Sequence, residues 1–159
     1  MIKKLHHAAY RCRSSEETRQ FYEDFLGLKL VGSLEISTTA TGRAANVLHT
    51  FYAMEDGACI AFFEEPDTPF DFHDQRDFDL HIALEVSEEE LQSRFAAAKA
   101  AGIEVRGVSD HKMCHSIYFR DPNGYVLELA ASTRDYDRLM DPAQNRAREI
   151  LDAWTLQRA

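Results

Sequence analysis

Hydrophobic and polar positions along the chain spell out one order of elements, and they spell it twice. Residues 4–12 alternate as a half-buried strand does. Ser14 and Glu17 then stand at capping-box spacing, each able to satisfy an orphan amide of a first helical turn. Thr18, Phe21, Tyr22, Phe25 and Leu26 recur at helical spacing, and Gly27 suits the position just past a helix end. Strands are predicted over 28–36, 47–54 and 58–64, with a polar loop over 37–46 and a turn at Glu55-Asp56-Gly57. The second pass begins with a strand over 79–86. Ser87 and Glu90 repeat the capping box, Leu91, Phe95 and Ala98 form an apolar stripe, and Gly102 ends the helix. Strands follow over 103–107, 116–120 and 125–130, the last two joined by Asp121-Pro122-Asn123-Gly124, which has strong turn chemistry.

The two passes align residue by residue. His7 precedes Phe21 by 14 positions, and His81 precedes Phe95 by 14. Asp56-Gly57-Ala58-Cys59-Ile60-Ala61 lines up with Asn123-Gly124-Tyr125-Val126-Leu127-Glu128. A duplicated unit of this kind closes around a pseudo-twofold axis, so equivalent strand positions converge. Those positions hold His7, His81, Glu128 and, fourth, Ala61. Two imidazoles and a carboxylate on strands make a metal site with open coordination positions. A lone strand histidine is usually structural; it is the matched positions that make these three a ligand set. His6 competes with His7, but it has the opposite strand parity and a spacing of 15 to Phe21.

Composition narrows the function classes. The chain has 159 residues and is 45% hydrophobic, enough for one globular domain with a sizeable core. With 18 basic and 27 acidic residues its net charge is −9, which argues against a nucleic-acid or anionic-membrane partner. No apolar run approaches the ~20 residues of a membrane span. The first seven residues include lysines but no apolar core of a secretory signal. Cys12, Cys59 and Cys114 form no paired motif and fit reduced thiols, so a cytoplasmic location is expected. Residues 66–78, rich in acids and proline, read as a surface linker between modules over about 4–65 and 79–131.

The paired βαβββ pattern, a histidine on each first strand, the segment FYEDFLGL and the segment YFRDPNGYVLEL together resemble the vicinal-oxygen-chelate superfamily. That group includes glyoxalase I, extradiol dioxygenases, methylmalonyl-CoA epimerase, and fosfomycin- and bleomycin-resistance proteins. The resemblance covers residues 4–131. It implies an α+β fold, two tandem βαβββ modules forming a curved, cup-like sheet, in a single domain over 1–131. It also implies one divalent metal ion, with His7 and His81 matching the first-strand ligands and Glu128 the last-strand carboxylate. Glyoxalase I has a fourth protein ligand where this chain has Ala61. Glu64 has the wrong parity to replace it, and Glu65 lies more than a strand step away. The remaining His-His-Glu set is similar to that of extradiol dioxygenases and fosfomycin thiol transferases.

Further candidates surround this set. Tyr118 lies ten residues before Glu128, an offset similar to that of the substrate-facing tyrosine of extradiol dioxygenases. A phenol there could hydrogen-bond a reacting oxygen; the alternative is a core tyrosine. His111 and His115 precede that strand, and either could serve as a base. His49 aligns with Ser116 and could line the cup, while Arg11 shares the strand face of His7 and could bind an anionic group. Arg11 could equally form an internal pair with Glu85, its repeat partner.

The expected function is a divalent-metal enzyme acting on a small oxygen-chelating substrate. The first specific expectation is an extradiol-dioxygenase-like activity. It favours Fe(II), because three protein ligands leave places for both substrate and dioxygen and zinc has no accessible redox step. A redox-neutral lyase, isomerase or epimerase using Zn, Mn, Ni or Co is the alternative, and a metal-free small-molecule-binding resistance protein is a third. After residue 131, Asp141-Pro142 is expected to cap a helix whose stripe of Ala143, Ala147, Ile150, Leu151 and Trp154 packs on the body or on a second subunit of a homodimer.

Overall fold

The computed structural model describes residues 1–158 and has the α+β architecture that the repeat predicts. There are two four-stranded mixed sheets, ordered β1-β4-β3-β2 and β5-β8-β7-β6. Among the described residues, no helix is long and apolar enough to cross a membrane. The chain divides into two compact units. One comprises residues 1–80 with 120–125; the other comprises 81–119 with 126–159.

In the first unit, β1 (His7–Cys12) pairs in parallel with β4 (Cys59–Glu64), and β3 (Ala44–Ala53) joins β4 to β2 (Lys29–Thr38). Strand alternation sorts β4 into two faces. Ile60 and Phe62 are buried with Tyr22 and Tyr52, whose rings lie 4.8–6.1 Å from the ring of Phe62 or 5.8 Å from each other. Cys59, Ala61 and Phe63 take the other face, in register with His7, Phe51 and His49. Helix α1 (Ser15–Arg19) starts where the capping box places it, with the Ser14 hydroxyl accepting from the Glu17 amide. It then widens into a π-helical turn over Gln20–Phe25, where the sequence predicted continuous α-helix. The Leu26 amide donates to the Phe21 carbonyl, five residues back, and Arg19 bridges Glu16, Glu23 and Asp24 across the widened turn.

The turn over 120–125 belongs to this unit. Asp121 accepts from the Tyr22 hydroxyl, the Asn123 amide and the Tyr125 amide, and the Asn123 carboxamide oxygen accepts from the Arg13 amide. The linker lies against the same turn: the His73 amide donates to the Asn123 carbonyl and the Gln75 amide to the Gly124 carbonyl. Gly124 has φ +93°, and a Cβ there would stand 2.7 Å from the backbone nitrogens of both His73 and Asp74. Left-handed backbone strain costs about 1–3 kcal/mol, and backbone cannot step aside as a side chain can. Gly124→Ala is therefore expected to lose at least ~2 kcal/mol and to lower the melting temperature by roughly 4–8 °C. A thermal melt within 1 °C of wild type would show that the linker does not hold this position in solution.

In the second unit, β5 (Ile82–Glu85) pairs in parallel with β8 (Val126–Ser132), and β6 (Val105–Asp110) pairs antiparallel with β7 (Cys114–Arg120). Helix α2 (Glu88–Ala101) packs on β8 and β6, is capped by Ser87 and closes on Gly102 in the left-handed region. The C-terminal segment departs from expectation. Asp141 closes a turn, accepting at its side chain from the Ala143 amide and at its carbonyl from the Gln144 and Asn145 amides. The Asn145 side chain then accepts from the Ala147 amide, and Arg146 takes φ +54°, so the helix restarts. The result is a short α3 (Tyr136–Met140), absent from the sequence reading, and α4 (Ala147–Leu156) in place of one helix over 142–155.

Candidate metal centre

The register of β5 and β8 places two of the expected ligands. Ala83 is opposite Glu128, and His81 lies one residue before β5, two residues from Ala83. His81 Nε2 and Glu128 Oε2 are 3.0 Å apart. Leu127 and Leu129, on the opposite face, are buried. Glu128 itself is only 6% exposed, an unusual place for a carboxylate.

Tyr118 stands beside this pair. Its ring meets that of His81 edge-on at 6.3 Å, and its hydroxyl is 2.9 Å from His111 Nε2. Burial, with the Glu128 charge adding to it, pushes the phenol above its usual range, so Tyr118 keeps its proton at neutral pH. The Arg106 guanidinium lies 5.3 Å from the Tyr118 ring centroid, a cation–π contact that follows from the Arg106–Tyr118 register. Arg106 was not among the sequence candidates. The signal that could have found it is the hairpin register, which needs the position of the bulge between Gly107 and Ser109.

His115 is separated from this group. It has the opposite parity to Tyr118, and its Nδ1 is 2.8 Å from Glu88 Oε2 at the start of α2. Of the two histidines expected near the site, the structure brings His111 to Tyr118 and gives His115 to a surface ion pair. Glu88 raises the His115 pKa, while the Gln92 amide and then His115 lower that of Glu88. The raised histidine favours the fold below its ordinary value and loses that effect as pH rises through its folded value. The lowered carboxylate favours it above its own ordinary value. The pair therefore acts most fully between 4.5 and 6.5. In Glu88→Gln, the His115 pKa is expected to fall back toward 6.5; an unmoved NMR titration would show that Glu88 is not its partner in solution.

In the first unit, His7, Phe51, His49, Ala61 and Phe63 share a face. The His7 ring is 5.7 Å from Phe51 and 6.3 Å from His49, and His49 stacks on Phe63 at 3.7 Å. His49 Nδ1 is 3.0 Å from the Phe62 carbonyl oxygen. A carbonyl only accepts, so Nδ1 carries the proton and Nε2 is left as an acceptor. His6 Nδ1 is 2.7 Å from His7 Nδ1. Ala61, where a fourth ligand would stand, is fully buried. Glu64 caps α1 by accepting from the Ser15 amide, and Glu65 pairs with Arg11 at 3.2 Å.

That pairing corrects the expectation for Arg11. Its guanidinium donates to the Glu65 and Thr68 carbonyls as well, so it holds the start of the linker and does not present itself to a substrate. Its partner is Glu65, not Glu85. Among the described residues, no group of three or more His, Cys, Asp or Glu side chains is gathered to hold a metal; His81 and Glu128 come together as a pair.

Residues 4–129 match the Glyoxalase/Bleomycin resistance protein/Dioxygenase superfamily. The chain belongs to this superfamily. Its members similar to this chain include metallothiol transferase FosB of Staphylococcus saprophyticus, 28% identical over 144 residues, which cover 87% of this chain and 83% of FosB. Among solved structures, a mutant of the fosfomycin resistance protein FosX of Listeria monocytogenes, complexed with Mn(II) and 1S,2S-dihydroxypropylphosphonic acid, superimposes with a TM-score of 0.64. It is 23% identical, with 86% of this chain and 98% of that chain covered. A glyoxylase/bleomycin resistance protein/dioxygenase domain of Frankia reaches 0.68 at 16% identity, covering 84% and 100%. At these identities the solved structures establish the superfamily fold.

Proposed function

We propose that this chain is a divalent-metal enzyme that binds a small substrate through two neighbouring oxygens, with His7, His81 and Glu128 as its protein ligands. The observation that carries the reading is Glu128, a nearly buried carboxylate with an imidazole nitrogen 3.0 Å away on the same face. A buried carboxylate is costly without a compensating cation, and an imidazole–carboxylate pair on rigid strands is a prepared half of a cation site. The donor chemistry suits Mn, Fe, Co, Ni or Zn. His7 occupies in the first repeat the place that His81 occupies in the second, which supports it as the third donor.

When bound, the ion supplies Lewis acidity that stabilises negative charge on the substrate oxygens. The chain's own residues handle the protons. Tyr118 donates its hydroxyl hydrogen to the oxygen on which charge develops, and His111, 2.9 Å behind it, takes or returns a proton through the phenol oxygen. His49 offers Nε2 as an acceptor on the His7 face, which suits a substrate hydroxyl.

Redox-neutral addition or isomerisation takes first place, supported by likeness to a metallothiol transferase and to a fosfomycin resistance protein complexed with Mn(II). Ring cleavage with Fe(II), the first expectation from the sequence, is the second reading and draws on the Tyr118–His111 pair. The deciding experiment loads anaerobically purified protein with Mn(II), Ni(II), Zn(II) or Fe(II). It then offers fosfomycin with a thiol or water alone, hemithioacetals, and catechols under air. Turnover without oxygen uptake in the first two sets supports the first reading, and ring-cleavage absorbance in the third replaces it. Equilibrium binding of an unmodified ligand by metal-free protein would overturn both.

We also propose a homodimer. Ile150, Leu151 and Trp154 of α4 are 56–63% exposed within one chain, an apolar stripe of the kind that a second copy covers. Light scattering is expected to give twice the chain mass; a monomer at micromolar concentration would exclude this.

A further inference from the structure

We infer that His6 is a positioning residue that fixes the tautomer and ring orientation of His7. The inference rests on the reading of His7 as a metal ligand. His6 lies one residue before β1, so strand alternation does not force its side chain to the opposite face. Its backbone is nevertheless held, because its carbonyl accepts from the Cys59 amide at 3.1 Å. From there the ring turns toward its neighbour. The two imidazoles meet edge to face at 5.0 Å, with Nδ1 to Nδ1 at 2.7 Å.

A hydrogen bond between two ring nitrogens needs one donor and one acceptor. If His7 donates from Nδ1, its Nε2 carries a lone pair and no proton, the state a metal requires. The His6 Nδ1 is then the acceptor. Metal-binding histidines almost always spend their second nitrogen on such an outer partner, most often a carboxylate or carbonyl. Here the chain supplies the preceding imidazole instead. Among the described residues no carboxylate pairs with His7; its ring neighbours are His6, His49 and Phe51. His49 does not take this place: its Nε2 is an open acceptor, but no hydrogen bond joins it to His7 and its ring centroid is 6.3 Å away. The arrangement also resolves the competition between the adjacent histidines: they act in series, one on the ion and the other behind it.

The test is Mn(II) affinity of the full chain by equilibrium titration with EPR detection, together with ¹⁵N NMR of the metal-free imidazoles. Both residues are exposed, so substitution leaves the core intact, which circular dichroism checks. His6→Ala is expected to weaken Mn(II) binding 10- to 100-fold, the range typical of outer partners. His6→Asn, whose side-chain oxygen accepts at a reach close to that of Nδ1, is expected to restore most of that loss. In the NMR spectrum, wild-type His7 should be the Nδ1–H form, and His6→Ala should convert it to a tautomer mixture. His7→Ala separates the two claims. If it abolishes tight binding while His6→Ala binds as wild type does, the positioning role is wrong and the ligand assignment stands. If His7→Ala binds normally, the ligand assignment itself fails. If His6→Ala loses as much as His7→Ala and His6→Asn rescues nothing, His6 is itself a ligand and the inference is overturned.

Discussion

Glu128→Gln is expected to abolish the proposed divalent-metal binding while leaving the fold intact. Glutamine keeps the shape of the side chain but not its charge, and the site at Glu128 is closed enough that charge decides. Outer partners of metal ligands cost 10- to 100-fold in affinity, so loss of the anionic ligand itself should exceed that range. The cleanest measure is the metal-induced rise in melting temperature. A ligand present at a hundred times its Kd stabilises a protein by about 2.7 kcal/mol, and Glu128→Gln should show almost none of this at the same Mn(II) concentration. His81→Ala should behave alike. Without metal, Glu128→Gln should melt within a few degrees of wild type, because the amide keeps the side chain's shape and can still hydrogen-bond to His81. A variant that keeps the full Mn(II)-induced shift would mean that the ion binds elsewhere.

Tyr118→Phe separates metal binding from turnover. The phenol is not a proposed ligand, so Mn(II) affinity should be unchanged to within a few-fold. Turnover on whichever substrate the screen identifies should fall by roughly 10²–10³, the loss typical when one preorganised donor to a developing oxyanion is removed. The loss should appear in kcat more than in KM, because the donor matters most where charge develops. His111→Ala should reduce the same step only if a proton must leave through the phenol. Its 2.9 Å contact makes Tyr118 and His111 a coupled pair whose double variant should be less than additive. Full-speed turnover in Tyr118→Phe would make Tyr118 part of the wall and nothing more.

Much of this was legible in the chain before any coordinates. Counting in twos along the chain set His81 with Ala83, and the parallel register of β5 and β8 sets Ala83 opposite Glu128, although His81 itself lies one residue before β5. The capping serines were equally local, since each bond closes within three residues. What the sequence hid depends on contacts made far along the chain. Arg11 looked available for a substrate because nothing local shows that the linker returns to it with Glu65 and Thr68. His111 and His115 differ in a way set by the hairpin turn at Lys112, which adopts φ +67° where a sequence reading expects none. The π-helical turn widens only one turn of a short helix, too brief a change for a 3.6-period count to resolve. The helix predicted from Asp141-Pro142 failed because Asp141 closes a turn over Gln144 and Asn145, and the helix restarts only after Arg146, with the Asn145 side chain accepting from the Ala147 amide.

The late turn over 120–125 bears on how the protein is made. The first unit has a central aromatic, Tyr22, whose hydroxyl donates to Asp121, and an Arg13 amide that donates to Asn123. Neither partner has emerged when the ribosome finishes the first sheet. The early half of the chain must wait through more than fifty further residues before these polar groups are answered, and loop closure over about 100 residues slows that step. Gene duplication has therefore not left two parts that mature in turn. The N-terminal repeat is provisional until the C-terminal one is nearly complete, and a nascent chain halted at the linker would expose the aromatic surface that chaperones recognise.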